Sequence, residues 1–253
     1  MSSHRQDFLR RDHERPVTLT NRCGRAGSRS GGGGLGGVPS PRSLLEALST
    51  APATFALLVV NVAVSLYALF VSPALAEAWA LRPYAIVHGK EYQRLFTGSF
   101  IHAGLGHLLF NMVTLYFFGP TLEDQLGTGR FLVLYFGAEL ASSLFTVWRR
   151  KADASYAAVG ASGAISGLVF AFCLFAPFAR LYVFFAIPMP AILFALVYTA
   201  GSIYAMRQSE ARQGGGIAHE AHLGGAIGGV VLTLLLYPAV GPHFVAQIAT
   251  LLR

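Results

Sequence analysis

Gly160-Ala161-Ser162-Gly163-Ala164-Ile165-Ser166-Gly167-Leu168 is the stretch of sequence on which the fold and the function of this chain depend. It opens an apolar run that continues to Pro177, so a serine lies among small residues at the start of a segment of membrane length. A serine in an apolar helix usually packs or bonds back to the helix backbone. Ser162 becomes a candidate nucleophile only if a base lies beside it.

The composition indicates a membrane protein with several spans. Of the 253 residues, 54% are hydrophobic and only 12% are charged, whereas soluble domains carry about a quarter charged residues. A helix needs roughly 20 mostly apolar residues to cross the hydrocarbon core. Segments of about that length lie at 54–72, 103–120, 130–148, 157–177, 186–206 and 221–238. We therefore expect an all-α polytopic membrane protein built as a bundle of six transmembrane helices.

The sequence divides into three parts. Residues 1–48 are rich in arginine, glycine and serine and have almost no apolar periodicity, so they predict a disordered basic tail. The formal charge of +7 comes largely from this tail, and it favours contact with anionic lipid over binding of nucleic acid. Residues 49–240 hold the membrane domain. Residues 241–253 are too short to cross again and predict a short C-terminal tail.

Two further segments carry residues that are unusual for a membrane span or a simple loop. A long connection after the first span carries Trp79, Tyr84 and Arg94, and its aromatic content predicts a structured loop partly embedded in the headgroup layer. Glu139 falls near the middle of the third span, where an acid is a functional hypothesis by default. We expect Glu139 to lie deeper than Ser162, and the sequence indicates no partner for it, so a protonated, hydrogen-bonded acid without a chemical role is the equal alternative.

Polar residues recur at the heads of alternate spans. His102, His107 and Asn111 begin span two, Ser162 begins span four and His222 begins span six. Alternate spans run in the same direction, so all five residues are expected in one leaflet, with Ser162 on the order of 8 Å below its helix mouth. Polar groups within spans usually face the bundle interior or a wet cavity. The pattern predicts one hydrated site shared by three helices.

Small residues predict that spans four and six pack closely. Span four carries Gly160, Gly163 and Gly167, and span six carries two G-x-x-x-G pairs, Gly224/Gly228 and Gly225/Gly229. Such packing brings Ser162 within reach of His222, which makes the two a nucleophile and its base. The Ser162 N–H and the side chains of His107 and Asn111 are the available oxyanion donors. No acid is expected at this depth, so the pattern predicts a Ser–His dyad.

These motifs resemble the rhomboid family of intramembrane serine proteases. The likeness rests on Gly160-Ala-Ser162-Gly163, on Ala221-His222-Leu-Gly-Gly and on His102…His107-x-x-x-Asn111-Met112, in that family's order at the heads of alternate spans, and it covers about residues 50–240. It implies a rhomboid-like six-helix bundle that cleaves peptide bonds of single-pass transmembrane substrates in the bilayer, without metal or cofactor. By resemblance, Ser162 is the nucleophile, His222 the general base and then acid, and His107 and Asn111 the oxyanion donors, with His102 beside the site.

The sequence departs from the family pattern at two places. Many rhomboids carry an aromatic residue one turn below the nucleophile, stacked on the catalytic histidine, and this chain has Ser166 there. The family's Trp-Arg pair in the first loop appears here as Gln93-Arg94. Neither departure removes a reacting group, but the first leaves open how the imidazole of His222 is held.

Three other functions are alternatives to an intramembrane protease. A rhomboid-like protein that binds membrane clients without cutting them is the main alternative, although such proteins typically lack the serine or the histidine. A zinc protease needs H-E-x-x-H, and His219-Glu220-Ala221-His222 is one residue too short. A transporter is disfavoured because no inverted repeat of broken helices is apparent. For His107 and Asn111, the alternative to oxyanion binding is a structural role in interhelical hydrogen bonding.

The resemblance favours a bacterial-type plasma membrane with the N-terminus in the cytoplasm. The distribution of lysine and arginine near the spans gives this orientation little support.

Overall fold

A computed structural model describes residues 49–183, 186–212 and 219–251. The predicted disordered tail, residues 1–48, lies outside the described residues. Within the described ranges the fold is helical apart from one short β-hairpin.

The elements follow one another as long helices joined by short ones. Helix α1 (Pro52–Phe70) leads into α2 (Pro73–Trp79), α3 (Pro83–Gly89), α4 (Arg94–Thr97) and a 3-10 turn at Gly98–Phe100. Next come α5 (Leu105–Leu126), α6 (Thr128–Arg150) and α7 (Ser162–Phe175). The hairpin of β1 (Arg180–Val183) and β2 (Ile187–Pro190) precedes α8 (Ala191–Arg212), α9 (His219–Leu236) and α10 (Val240–Leu251).

Four described helices, α1, α5, α6 and α9, are long and apolar enough to cross a membrane. Two more apolar helices are shorter, namely α7 and the part of α8 at Ala191–Tyr204. With its 14 residues, α7 extends about 21 Å, which is less than a hydrocarbon core of ~30 Å. The predicted all-α polytopic membrane class is confirmed, while the count of six crossings stays a prediction.

Helix α7 packs backbone to backbone against α9. A Cβ at Gly225 would stand 2.0 Å from the carbonyl oxygen of Gly163, and one at Gly229 would stand 2.4 Å from the Cα of Gly167. Only glycine allows two helices to approach this closely. The predicted packing of spans four and six is therefore present, and it uses the Gly225/Gly229 pair.

The second G-x-x-x-G pair of α9 faces a different helix from the one expected. A Cβ at Gly224 would meet Phe145 and the Ala141 carbonyl, and one at Gly228 would lie 2.4 Å from the Ala141 Cβ. Gly224 and Gly228 thus pack on α6 and not on α7. Because the two pairs are one residue apart, they present small surfaces in two directions, and α9 fits between both helices.

The serine helix begins later than the sequence predicted, at Ser162 and not near residue 157. Gly160 has φ 121°, a backbone conformation that favours glycine and interrupts a helix. Ala158 pairs instead with Leu81 through backbone hydrogen bonds of 2.8 and 3.0 Å. Ser162 is the first residue of its helix, so the expected depth of about 8 Å along that helix is wrong.

Two short segments also differ from expectation. Pro188 and Pro190 belong to β2 and pair with β1, whereas they were expected in the first turn of span five; each strand of a two-stranded ribbon has a free edge that tolerates proline. The expected tail at residues 241–253 instead supplies most of α10, a helix of 12 residues. It packs on α7, since Gln247 donates to the Phe175 carbonyl at 3.2 Å.

The connection after α1 is structured, as predicted. Arg94 of α4 donates to the carbonyl oxygens of Glu77 at 2.9 Å and Ala80 at 3.0 Å, which folds the connection onto itself. The Gly160 N–H donates to the Gly98 carbonyl at 3.0 Å. This bond joins the connection between α1 and α5 to the backbone two residues before Ser162. Its location in the headgroup layer stays a prediction.

Glu123, near the end of α5, holds the start of α1. Its buried carboxylate accepts hydrogen bonds from the N–H groups of Ala53 (3.0 Å) and Thr54 (2.8 Å) and from the hydroxyls of Thr54 (2.8 Å) and Thr128 (2.9 Å). Ala51, which precedes α1, offers no capping side chain. Because the first N–H groups of a helix lack partners within it, Glu123 supplies the cap and joins α1 to α5 and α6.

Candidate active site

Ser162 is half-buried at the head of α7 and opens into a small recess. The residues lining the recess are largely polar or small and include Arg94, Ser99, Glu139, Ser142, Gly160 and Ala221. The N-terminus of a helix carries unpaired N–H groups and a partial positive charge. Ser162 therefore lies where a developing negative charge is favoured.

His222 lies in the first turn of α9, next to Ala221, which lines the same recess as Ser162. One turn further on, Gly225 contacts the backbone of Gly163. The neighbours of the predicted nucleophile and base are thus in direct contact. Among the described residues no hydrogen bond joins the Ser162 hydroxyl to the His222 imidazole.

Tyr198 of α8 lies beside His222, with the ring centroids 6.1 Å apart and the planes inclined by 31°. The Tyr198 hydroxyl is 2.7 Å from the hydroxyl of Ser166, which donates to the Ser162 carbonyl, also at 2.7 Å. A serine hydroxyl has one hydrogen, so Tyr198 is the donor to Ser166. Many rhomboids have an aromatic residue at the position of Ser166. In this chain Ser166 binds the hydroxyl of an aromatic residue, Tyr198, that belongs to another helix.

His107 and Asn111 lie one turn apart on α5, beside the start of α7. A Cβ at Gly160 would stand 2.6 Å from the His107 Cε1, so the ring lies against the backbone just before Ser162. Asn111 is 3% exposed, and its amide nitrogen has no hydrogen-bond partner among the described residues. A buried donor without a partner calls for a specific explanation.

His102 is a buried support for the backbone that precedes Ser162. Its Nε2 accepts from the Ala161 N–H at 3.4 Å, and its Nδ1 lies 2.8 Å from the Ser65 hydroxyl, which donates to the Phe100 carbonyl at 3.0 Å. This arrangement requires a neutral ring with the proton on Nδ1.

Glu139 has a partner that the sequence did not reveal. Its Oε2 accepts a hydrogen bond from the Ala164 N–H at 3.1 Å, and the Ser143 hydroxyl is 3.4 Å from its Oε1. Ala164 belongs to the first turn of α7, as Ser162 does. The expectation that Glu139 has no partner was therefore wrong, because α7 begins later than the apolar pattern implied and presents its first N–H groups to Glu139. The expectation that Glu139 lies deeper than Ser162 stays a prediction.

Glu220 is bound to another helix and not turned toward the two neighbouring histidines. Arg150 at the end of α6 donates from its Nε to Glu220 Oε1 at 2.7 Å, and Glu220 is 2% exposed. The rings of His219 and His222 are nearly perpendicular, with centroids 6.3 Å apart. The acid of His219-Glu220-Ala221-His222 thus joins α9 to α6.

The fold and the recess define a polytopic helical membrane protein with a polar site at the heads of its helices. The sequence profile of the Rhomboid domain matches residues 89–239, which is more than half of the chain. The chain therefore belongs to the rhomboid family, and the resemblance noted in the sequence is confirmed.

Several relatives support this assignment. Rhomboid protein 1, mitochondrial, of Saccharomyces cerevisiae is 31% identical over 199 residues, 74% of this chain and 54% of that protein. Putative rhomboid protease YdcA of Bacillus subtilis is 44% identical over 82 residues, 32% of this chain and 40% of that protein. Rhomboid protease GluP of the same organism is 28% identical over 152 residues, 60% of this chain and 27% of that protein. The chain spans about half or less of the length of these relatives.

Two of the predicted site residues lie against the backbone just before Ser162: His107 contacts Gly160, and His102 binds the Ala161 N–H. Asn111 lies in the second turn of α5, one turn after His107, and His222 lies in the first turn of α9. Sequence reasoning missed Tyr198 and Ser65, which lie on other helices at spacings that no local pattern encodes. For Ser65 a weak signal existed, because a polar residue within span one required a partner.

Proposed function

We propose that this chain is an intramembrane serine endopeptidase that hydrolyses peptide bonds of single-pass transmembrane proteins with a Ser162–His222 dyad. The observation that carries the proposal is the backbone contact between Gly163 and Gly225. It holds together the first turn that carries Ser162 and the first turn that carries His222. Two relatives with "protease" in their names point in the same direction.

In the proposed reaction the Ser162 oxygen attacks the carbonyl carbon of the scissile bond while His222 accepts the hydroxyl proton. The imidazolium then gives this proton to the leaving amine, and an acyl-enzyme remains. Water then attacks the acyl carbon and gives a proton to His222, and His222 returns this proton to the Ser162 oxygen as the carboxylic acid leaves. The largely polar recess beside Ser162 suits the entry of that water.

The oxyanion formed in each half-reaction is proposed to bind at three donors: the Ser162 N–H, the His107 side chain and the Asn111 amide. The Asn111 nitrogen is buried and lacks a partner among the described residues, as expected of a donor kept for a ligand. His107 lies against Gly160, next to the reacting residue. His102 is proposed to act by holding the backbone N–H of Ala161.

The test is cleavage of a model membrane-anchored substrate by Ser162→Ala in detergent or proteoliposomes. Loss of the nucleophile is expected to lower kcat by about a thousandfold or more, and His222→Ala should do the same. His107→Ala and Asn111→Ala should each lower the rate by about a hundredfold. Ser155→Ala, in the exposed loop before α7, is the matched control and should cleave normally.

Undiminished turnover by Ser162→Ala in folded protein would refute the mechanism. If wild-type protein binds a membrane-anchored client but never cleaves it, the alternative of an inactive rhomboid-like client-binding protein holds. Loss of cleavage on zinc chelation, with rescue by zinc, would favour the metalloprotease alternative.

The finer assignment of membrane and orientation also belongs to this proposal. The chain is an integral membrane protein, and we propose a bacterial-type plasma membrane with the N-terminus in the cytoplasm. Some relatives are named mitochondrial, so the orientation needs its own test. With six crossings both termini lie on one side, and a reporter fused after Arg253 should report the cytoplasm; a periplasmic signal would contradict the orientation.

A further inference from the structure

Glu139 is a buried acid that none of the proposed chemical steps uses. It is 5% exposed in α6, and its Oε2 receives the N–H of Ala164, the third residue of α7, at 3.1 Å. It also lines the recess into which Ser162 opens. One carboxyl group thus contacts both the helix that begins with the proposed nucleophile and the space where the substrate bond would lie.

Helix α7 needs an external cap at its first turn. Ala161, the residue before the helix, makes no side-chain capping bond, and the N–H groups of the first turn have no partner within the helix. Leaving such a group buried and unpaired is costly. A helix of 14 residues also gains little from its own propensity. Glu139 supplies the missing acceptor from a neighbouring helix.

The carboxyl group lies against the backbone between Ser162 and Ala164. A Cβ at Gly163 would stand 3.0 Å from Glu139 Oε2 and still closer to the Ser142 hydroxyl. The first turn is therefore held on one side by Glu139 and Ser142 and on the other by Gly225. Any rotation of this turn changes the direction of the Ser162 hydroxyl and of its N–H.

We propose that Glu139 is a positioning residue for Ser162: its oxygen, fixed by the length of the glutamate side chain, caps α7 and orients the nucleophile toward the recess. This inference rests on the proposed function of Ser162. The effect of Glu139 on Ser162 is attributed to the position of the carboxyl oxygen, which the length of the side chain determines, and not to the negative charge of the group. A misplaced reacting group slows the chemical step far more than it weakens binding.

Three substitutions separate reach from charge. Glu139→Gln keeps the length and an acceptor oxygen but removes the charge, whereas Glu139→Asp keeps the charge and withdraws the oxygen by about 1.5 Å. Glu139→Leu removes the acceptor. The measurements are kcat and KM for a membrane-anchored substrate and the rate at which a small fluorophosphonate labels Ser162, each per folded molecule. Hydrogen exchange of the peptide at 160–168 reports the cap independently of activity.

For Glu139→Gln we expect kcat and the labelling rate to stay within about threefold of wild type. For Glu139→Asp and Glu139→Leu we expect both quantities to fall by about tenfold, with KM nearly unchanged. Asp should also speed amide exchange at 160–168, and Gln should not. Glu123→Asp and Glu123→Gln form a matched control pair, because that carboxylate caps α1. They should alter thermal stability without altering the labelling rate of folded protein.

The inference is overturned if Glu139→Asp has a normal kcat and a normal rate of Ser162 labelling, whether or not Glu139→Gln is slow. If Leu fails to fold, the comparison of Asp with Gln still decides. Wild-type protein that is never labelled at Ser162 would refute the proposed function and this role together. Labelling of wild type with equal rates in all variants would leave the proposed function standing and remove the role of Glu139.

Discussion

Two buried glutamates of this molecule do the same structural task at different places. Glu123, near the end of α5, caps α1, and Glu139, in α6, caps α7. Glu123 accepts four hydrogen bonds of 2.8 to 3.0 Å. Glu139 accepts one bond of 3.1 Å, has a second contact at 3.4 Å and lines the recess. Both cap a helix whose preceding alanine makes no capping bond.

The difference between them lies in how fully each carboxylate is satisfied. A carboxylate offers about four acceptor sites, and Glu123 fills them with protein donors, as a purely structural group should. Glu139 keeps part of this capacity unused beside the largely polar recess. We infer that the region around Glu123 maintains the fold, whereas the region around Glu139 also controls reactivity. The following predictions test whether stability and rate separate in this way.

The largest effect is expected for Glu123→Leu, which leaves the N–H groups of Ala53 and Thr54 buried and unpaired. At about 1–3 kcal/mol for each such group, the free energy of unfolding should fall by on the order of 3 kcal/mol, measured by denaturant or thermal unfolding in detergent. The rate of Ser162 labelling per folded molecule should hardly change. Asp124→Leu, at the exposed neighbouring position, is the control and should cost about 0.5 kcal/mol or less.

A smaller effect, this time on rate, is expected for Tyr198→Leu. The substitution removes the ring beside His222, and aromatic contacts of this kind contribute about 1 kcal/mol. We expect kcat to fall by about tenfold or somewhat less, with little change in the unfolding transition. Tyr204→Leu alters an exposed residue of the same helix and should retain full activity. A stability loss without a rate loss would break the separation between the two regions.

The smallest effect is expected for the single hydrogen bond between Ser166 and Tyr198. Ser166→Ala and Tyr198→Phe each remove it, and each should lower kcat by about two- to fivefold, the equivalent of one net hydrogen bond. Since both remove the same contact, the double variant should be no slower than the worse single one. Additive losses would mean that the two hydroxyls act independently.

Much of the site was predictable because its residues sit in local patterns with strong physical meaning. The apolar segments gave the membrane class, and the small residues on spans four and six gave the contact between Gly163 and Gly225. The spacing of His107 and Asn111 put them on one face of α5. These features depend on helical periodicity, which a sequence displays directly.

The misplaced start of the serine helix arose because apolar runs do not mark where a helix starts. The run before Ser162 continues through Ala157-Ala158-Val159, yet Ala158 pairs with Leu81 and Gly160 takes a left-handed conformation. Propensity and hydrophobicity were overridden by a contact from a distant segment. The same displacement of the helix start hid the partner of Glu139. Tyr198 was missed because the angle at which α8 crosses α7 is set by packing alone.

The hydrogen bonds around Ser162 also bear on how the protein matures during synthesis. Ser65 and His102 are separated by 37 residues, His102 and Ala161 by 59, and Arg150 and Glu220 by 70. A nascent chain that ends before α9 contains Ser162. It lacks His222 and the two glycines, Gly225 and Gly229, against which α7 packs. If the enzyme works as proposed, a truncated chain released from the ribosome has no proteolytic activity. Proteolysis begins only after α9 has packed against the other helices.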